Sequence, residues 1–211
     1  MSGIFLVAIL SIFSVSYLQL YHNTVDAKSN QKGANALHVE YTIPYMSDED
    51  LAASSPIIIQ GIVKSVSSVK WNNPKGLEPS QYTENDMLYR DNIISVSDVL
   101  KGDVKGNEIT VRTYRGDYPQ GENIVKIDTG DAYGSFSQGE SVILFLANDD
   151  SNYNKDKSNN YYILKGMNQG KFLITGKTIA SVHGSKELNT FKNNIKNHKK
   201  DIVKPNVKGD F

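Results

Sequence analysis

Cysteine is absent from the chain, and with it go a disulfide framework, a thiol nucleophile, a lipobox-type lipid anchor and every Cys-based zinc site. Stability must come from packing. Net charge is absent too: Lys plus Arg and Asp plus Glu stand at 23 each in 211 residues, so no bulk field draws the protein onto DNA, RNA or an anionic surface. Histidine is scarce. His22, His38, His183 and His198 form no i, i+4 pair and no H-E-x-x-H, which removes the usual helical zinc motif. His183 and His198 flank the C-terminal helix expected below and could meet, but as exposed residues neither is expected to act.

Charge is also missing from the start of the chain, where the first charged side chain is Asp26. Residues 4–20 (IFLVAILSIFSVSYLQL) form a mostly apolar run at the short end of what spans a bilayer. Two readings stand side by side. A signal peptide would be cleaved near Val25-Asp26-Ala27, and a retained anchor would keep residues 4–20 in the membrane, although no Lys or Arg precedes the run. Either way the remainder is expected outside the membrane. Its abundance of Asn, Lys, Ile and Tyr resembles exported proteins of low-GC Gram-positive bacteria. The expected organisation is a signal peptide or anchor at 1–27, a tether at 28–43, a β-barrel domain at 44–182 and a C-terminal helix and tail at 183–211.

With 39% hydrophobic and 22% charged residues, the chain has the composition of one ordinary globular domain plus appendages. Ser47 followed by Asp48, Glu49 and Asp50 reads as the N-cap and first turn of a short helix that Pro56 stops by Ser55. From there the period changes to two. PIIIQGIVKSVSSVKW predicts a long strand ending near Lys70 and Trp71, with Ile57, Ile59, Gly61 and Val63 on one face and a bend or bulge at Gly61. A long connection (residues 72–86) leads to MLYRDNIISVSDVL and EITVRTYRG, an antiparallel hairpin turning at KGDVKGN. ENIVKIDTG follows. ESVILFLAN is apolar on both faces at residues 142–146 and predicts the central buried strand. DDSNYNKDKSNN reads as a solvated hairpin tip, and YYILKG and GKFLITGKTIAS as a further strand pair. Residues 185–202 predict an amphipathic helix with Ser185 as N-cap, Leu188, Phe191, Ile195 and Ile202 near one stripe, and Lys196, Lys199 and Lys200 near its negative end. The fold class is mainly β, an OB-like antiparallel β-barrel with a short N-terminal and a C-terminal amphipathic helix, preceded by a hydrophobic segment.

The order ASSPIIIQGIVKSV, DNIISVSDVLKGDVKGNEITVRT, SQGESVILFLAN and YYILKGMNQGKF resembles bacterial exported domains related to the OB-fold of netrin-like and tissue-inhibitor-of-metalloproteinase-like modules. The resemblance covers roughly residues 48–179 and implies a fold; it is nearly silent on activity. The inhibitors of that family chelate a protease zinc through an N-terminal cysteine. This chain has none, so no residue of that mechanism carries over.

Short motifs are weighed against turn chemistry. Arg115-Gly116-Asp117, inside RTYRGDYPQG, could be an adhesion ligand, but Gly116 and Pro119 would serve a strand-to-loop turn in any protein. Lys101-Gly102-Asp103-Val104-Lys105-Gly106 lacks the helix a phosphate cradle needs, and residues 166–172 (GMNQGKF) have Phe172 where a nucleotide loop needs Ser or Thr. Asp150, Asn152, Asn154 and Asp156 have calcium-loop spacing, yet Lys155 stands at the glycine position and Tyr161 at that of the bidentate acid. Ser67-Ser68-Val69-Lys70 fits S-x-x-K without its companion K-T-G, and residues 134–139 miss G-x-S-x-G by spacing. Arg112, Tyr114, Lys70 and Trp71 could outline a basic aromatic groove of the kind that holds single strands, but net neutrality and an exported compartment oppose it. Seven Lys between Ser185 and Lys208 could touch anionic lipid or wall polymer, or form a solvated helix face.

The chain is therefore expected to be an exported or membrane-tethered binding or interaction module of a bacterial cell surface, and not an enzyme. The alternatives are a protein inhibitor of an extracellular hydrolase, by fold analogy, and a surface hydrolase with an unrecognised site. No catalytic, cofactor-binding or metal residue is assigned, and no cofactor. The expected partner is a protein or cell-envelope component, with the membrane added if residues 4–20 are uncleaved and nucleic acid left out. Cell fractionation with N-terminal sequencing should find the chain outside the cytoplasm, starting at Lys28 if cleaved; an intact cytoplasmic chain would overturn export.

Overall fold

Residues 47–55 behave as their sequence dictates. The Ser47 hydroxyl accepts from Asp50 N (3.1 Å) while Asp50 Oδ2 accepts from Ser47 N (3.2 Å), a reciprocal capping box that starts helix α1. The computed structural model describes residues 35–38, 43–120, 123–128, 132–155, 157 and 160–198. In chain order they form β1 (Asn35–His38), α1 (Asp48–Ser54), β2 (Ile57–Val66), β3 (Lys70–Trp71), β4 (Leu88–Lys101), β5 (Glu108–Thr113), β6 (Gly116–Gln120) and β7 (Asn123–Asp128). Then come β8 (Ser141–Ala147), β9 (Tyr162–Leu164), a 3-10 turn (Met167–Gly170), β10 (Lys171–Thr175), β11 (Thr178–Ser181), β12 (Gly184–Glu187) and α2 (Leu188–His198). The hydrophobic run at 4–20 and His22 lie outside the described residues. Among the described residues no helix is long and apolar enough to cross a membrane.

Five strands close a barrel in the order β2, β4, β5, β9, β8 and back to β2. All pairs are antiparallel except β5 with β9, where Val111 faces Tyr162 and Arg112 faces Ile163. The barrel is filled by Ile59, Val63, Ile94, Val111, Leu144 and their neighbours, residues of alternate positions as a period of two requires. The fold is mainly β and OB-like, with two helices. β8 is buried on both faces, as its unbroken apolar run predicts. Val142, Leu144 and Leu146 point into the barrel, while Ile143 and Phe145 meet α1 and α2 on its outside. There Phe145, Phe172 and Phe191 stack at centroid distances of 5.2, 4.8 and 6.2 Å.

Beyond the barrel, β10 pairs with the start of β8, and β11 and β12 extend that sheet outward. β9 pairs with the end of β8, so β9 and β10 share one edge of β8 and are not a hairpin with each other. Several expectations change here. Lys70 and Trp71 do not end β2; they form β3, paired with β4. β4 meets β5 only up to Ser95 opposite Glu108, so Lys101 sits past the hairpin and its amine donates to Ala52 O (2.6 Å) and Ala53 O (3.1 Å) at the end of α1. Gly116, at φ +144°, opens strand β6 where a strand-to-loop turn is expected. β7 leaves the barrel and joins β6 and a parallel β1, which falls within the expected tether. Gly184 to Glu187 are strand, so α2 starts at Leu188. Its cap is the Glu187 carboxylate, which accepts from Thr190 N (2.6 Å) and Asn189 N (3.1 Å), in place of Ser185. Ile202, Lys199 and Lys200 lie outside the described residues.

Gly61 marks a register shift between β2 and β4, the bulge its position predicts. Its reason is close approach: a Cβ there would stand 2.5 Å from the Ser95 carbonyl oxygen and 2.7 Å from Ile94 Cγ2. Gly61→Ala must push β4 away and should cost about 1–3 kcal/mol. Urea unfolding of the variant measures it, and an unchanged midpoint would show that the bulge has slack.

Candidate functional site

Two irregular segments meet at one end of the barrel. One runs from β2 to β4 through β3; the other, residues 148–161, links β8 to β9. In OB-folds the corresponding connections, with the face of the second and third strands, hold the ligand. Here they are tied to each other. Asn72 Nδ2 donates to Tyr153 O (2.9 Å) and Asn85 O (2.8 Å), its Oδ1 accepts from Met87 N (2.8 Å), and Lys155 pairs with buried Asp86. Burial pushes the Asp86 carboxyl up, but its bonds from Lys155 and Thr83 outweigh this and hold it below the ordinary carboxylate range. Thus the stretch expected as a solvated hairpin tip folds back onto the barrel, with Asp149 and Asn154 buried.

Between the loops and the strands lies an aromatic cluster: Trp71, Met87, Leu88, Tyr89 and Tyr114 are buried, with Tyr118, Tyr133 and Tyr153 packed around them. Beside it runs a polar chain. Arg112 of β5 binds Asp91 of β4 through two parallel bonds of 2.8 and 2.9 Å, and its guanidinium carbon lies 3.7 Å from the Tyr89 ring centre and 3.8 Å from that of Tyr161. Burial works against the charged Arg112, yet Asp91 more than offsets it, so the guanidinium stays ionised. Asp149 accepts from the hydroxyls of Tyr114, Tyr161 (2.9 Å) and Ser151 (2.6 Å) and from Ser151 N (3.1 Å). A buried carboxylate is tolerable only with donors on its lone pairs, and this one has four. Burial first, then Asp149, pushes the Tyr161 phenol up to about 12 and raises Tyr114 further. Both phenols remain donors, poor as bases or nucleophiles.

The basic aromatic groove, weighed above with nucleic acid left out, does not stand open. Arg112, Tyr114 and Trp71 do come together, but they are consumed in packing and ion pairing, while Lys70 stays exposed on β3. Among the polar residues that the two loops leave outside, two large apolar side chains stand out: Leu77 is 57% and Tyr82 56% exposed on the segment before β4.

The remaining motifs do not assemble sites. Asp150 and Asn152 face solvent, Asn154 turns inward to donate to Asp149 O (2.8 Å), and Asp156 lies outside the described residues. Among the described residues no group of three or more His, Cys, Asp or Glu gathers as a metal needs. The Ser67 hydroxyl bonds to Ser68 O (2.8 Å) and Asp91 N (2.9 Å), away from Lys70's role in β3. Residues 166–172 are a 3-10 turn followed by a strand. Arg115 donates to Gly134 O (3.2 Å), which fixes the first member of the Arg-Gly-Asp tripeptide. His183 corrects its expectation of an idle surface residue. Its side chain is buried, with Nδ1 3.3 Å from Asp48 Oδ1 and Nε2 3.1 Å from Gln169 Oε1, and Tyr45 packs on the ring. The His198 side chain lies outside the described residues. Sequence spacing offers no signal for this contact, because His183, Gln169 and Asp48 come from three separate elements.

The fold and the site together define an OB-like barrel with an aromatic, internally neutralised loop end. No protein-family model matches the chain, and no curated protein matches it.

The Asp86 pair sets a pH dependence. A carboxyl depressed by folding stabilises above its unfolded value, near pH 4, and loses that contribution as pH falls through the lower folded value. Asp86→Asn should therefore cost about 1–3 kcal/mol at pH 7 and progressively less below about pH 4. Denaturant unfolding at pH 7 and pH 3 tests it, and an equal penalty at both would remove the charge from the account.

Proposed function

We propose that the chain is a binding module, exported or membrane-tethered at a bacterial cell surface, whose recognition face is the loop end built from residues 67–87 and 148–161. The observation that carries this is the pairing of two properties. Leu77 and Tyr82 expose large apolar side chains, and the platform beneath them is locked by the Asn72 bonds and the Lys155–Asp86 ion pair. Exposed apolar groups on a preorganised base lose little entropy on binding, which is what a recognition surface needs. The raised phenols of Tyr114 and Tyr161 are poor bases and nucleophiles, and Arg112 is spent on Asp91, so these groups suit a structural role beneath a binding surface. Inhibition of an extracellular hydrolase, implied by the netrin-like resemblance, would use the same rim but without a zinc-chelating cysteine.

A photoreactive amino acid placed in the full-length chain at Leu77 or Tyr82 should cross-link a specific envelope component on intact cells, whereas one at exposed Lys177 should not. Equal labelling from Lys177, or none from either loop position, would overturn this assignment.

A further inference from the structure

His183 stands at the turn between β11 and β12 with a side chain only 8% exposed, and it takes no part in the loop-end contacts described above. Both ring nitrogens are engaged. Nε2 lies 3.1 Å from Gln169 Oε1 and Nδ1 lies 3.3 Å from Asp48 Oδ1, so what each partner offers decides how many protons the ring needs.

Gln169 offers an acceptor. Its Nε2 donates to Pro44 O (2.9 Å) and Gly166 O (3.3 Å) while its Oε1 accepts from Met46 N (2.9 Å). Turning the amide over would set like against like at all three bonds, so the imidazole must donate to Gln169 through its own Nε2. Asp48 offers an acceptor as well, because its Oδ2 takes the Lys186 amine and a carboxylate has no proton to give. A neutral ring has a single N–H, which Gln169 claims, and its Nδ1 lone pair is then left facing Asp48 Oδ1. Only the imidazolium satisfies both sides. The charged groups on this side are Asp48 from α1 and, beyond it, Lys186 from β12; Asp50 is turned back to Ser47, and Glu49 stands exposed. The 3-10 turn brings only the amides of Asn168 and Gln169, and Tyr45 packs its ring at 5.0 Å. Burial and the Lys186 charge work against a charged ring, the Asp48 carboxylate in direct contact works for it, and the donor count decides between them.

We propose that His183 is a proton-operated clasp: the doubly protonated ring fastens the β11–β12 turn to the start of α1 and to the 3-10 turn, and loss of the Nδ1 proton releases it. The clasp has a cavity to act on. Ile43, Tyr45, Asn168, Gln169, Val182 and His183 line about 400 Å³ open to solvent, and two of its walls, Tyr45 (76% exposed) and Val182 (60%), stand beside clasp residues. Val182 belongs to the turn that the clasp holds, whereas Tyr45 lies between Pro44 and Met46, which Gln169 holds. Release therefore frees one wall of the cavity from the other. The sign follows from mass action: the closed form holds one more proton than the open form, so acid closes the clasp and base opens it.

Hydrogen exchange of the full-length chain, followed by mass spectrometry at about pH 5.5 and about pH 8, tests this; the two values bracket the titration of a free imidazole and stay above the carboxylate range. After correction for the intrinsic pH dependence of exchange, peptides covering residues 43–47 and 182–186 should be about tenfold better protected at the acid value, the weight of one charge-assisted hydrogen bond. His183→Gln should abolish that difference. Asp48→Asn gives the sharper reading, because its amide can donate to an unprotonated Nδ1 and close the clasp without the second proton. Its protection should be the same at both values and near the acid wild-type level, with the β8 peptide (residues 141–147) reporting that each variant is folded. Equal protection of the wild type at both values would overturn the proposal, as would a difference that persists in either variant. A folded Asp48→Asn that is unprotected at both values would reject the donor count on which the clasp rests.

Discussion

Everything in this fold leans on the double burial of β8. A strand apolar on both faces can be satisfied only between two layers, and here one layer is the barrel interior while the other is the pair of helices. Each of its five fully buried side chains contributes on the order of 1.5–3 kcal/mol of burial. That places the helices: α1 and α2 pack on Ile143 and Phe145 together with Ile58, Leu100, Phe172 and Ile179. It also fixes the sheet, because β2 takes one edge of β8 while β9 and β10 divide the other. The barrel closes at β9 and the sheet extends outward at β10 for the same reason, a strand long enough to serve two partners in succession.

The parts of this arrangement that could be read from the sequence are those whose physics is local. The Ser47 cap and its Asp50 partner lie three residues apart, the alternation of Ile57, Ile59 and Val63 is a period of two, and the glycine at 61 stands where a bulge needs one. What escaped is non-local. Residues 35–38 have no period that distinguishes a strand from a tether, and their strand exists because β7 offers an edge. Glu187 caps α2 in place of Ser185 because β11 claims residues 184–187 as a partner first. In both cases an available sheet edge outweighed a weak local preference.

The loop end shows a subtler failure of local reading. Polar composition between Asp149 and Asn160 signals solvent exposure, and for a polar group without partners that inference holds. Asp149 and Asn154 are nevertheless buried, because Tyr114, Tyr161, Ser151 and the backbone of Asp149 complete their bonds. Composition records which groups need partners and is blind to partners supplied from elsewhere in the chain. Arg112 and Tyr114 were recognisable as chemistry-bearing residues on one face of β5; that Asp91, Tyr89 and Tyr161 would absorb them was not, since those residues sit on β4 and just before β9.

That absorption decides which charges the loop end presents. Had Arg112 and Lys155 been free, the same aromatic ground would have been a platform for a phosphate backbone, and charge would have set both affinity and its salt dependence. With Arg112 paired to Asp91 and Lys155 to Asp86, these two cations are neutralised within the protein, while Lys70 of β3 stays exposed. Tyr82 packs on the Trp71 ring at 5.4 Å while staying more than half exposed, so it joins the buried aromatic cluster to the surface. A chain without cysteine can hold such an arrangement because its stability rests on the burial of β8 and the barrel interior.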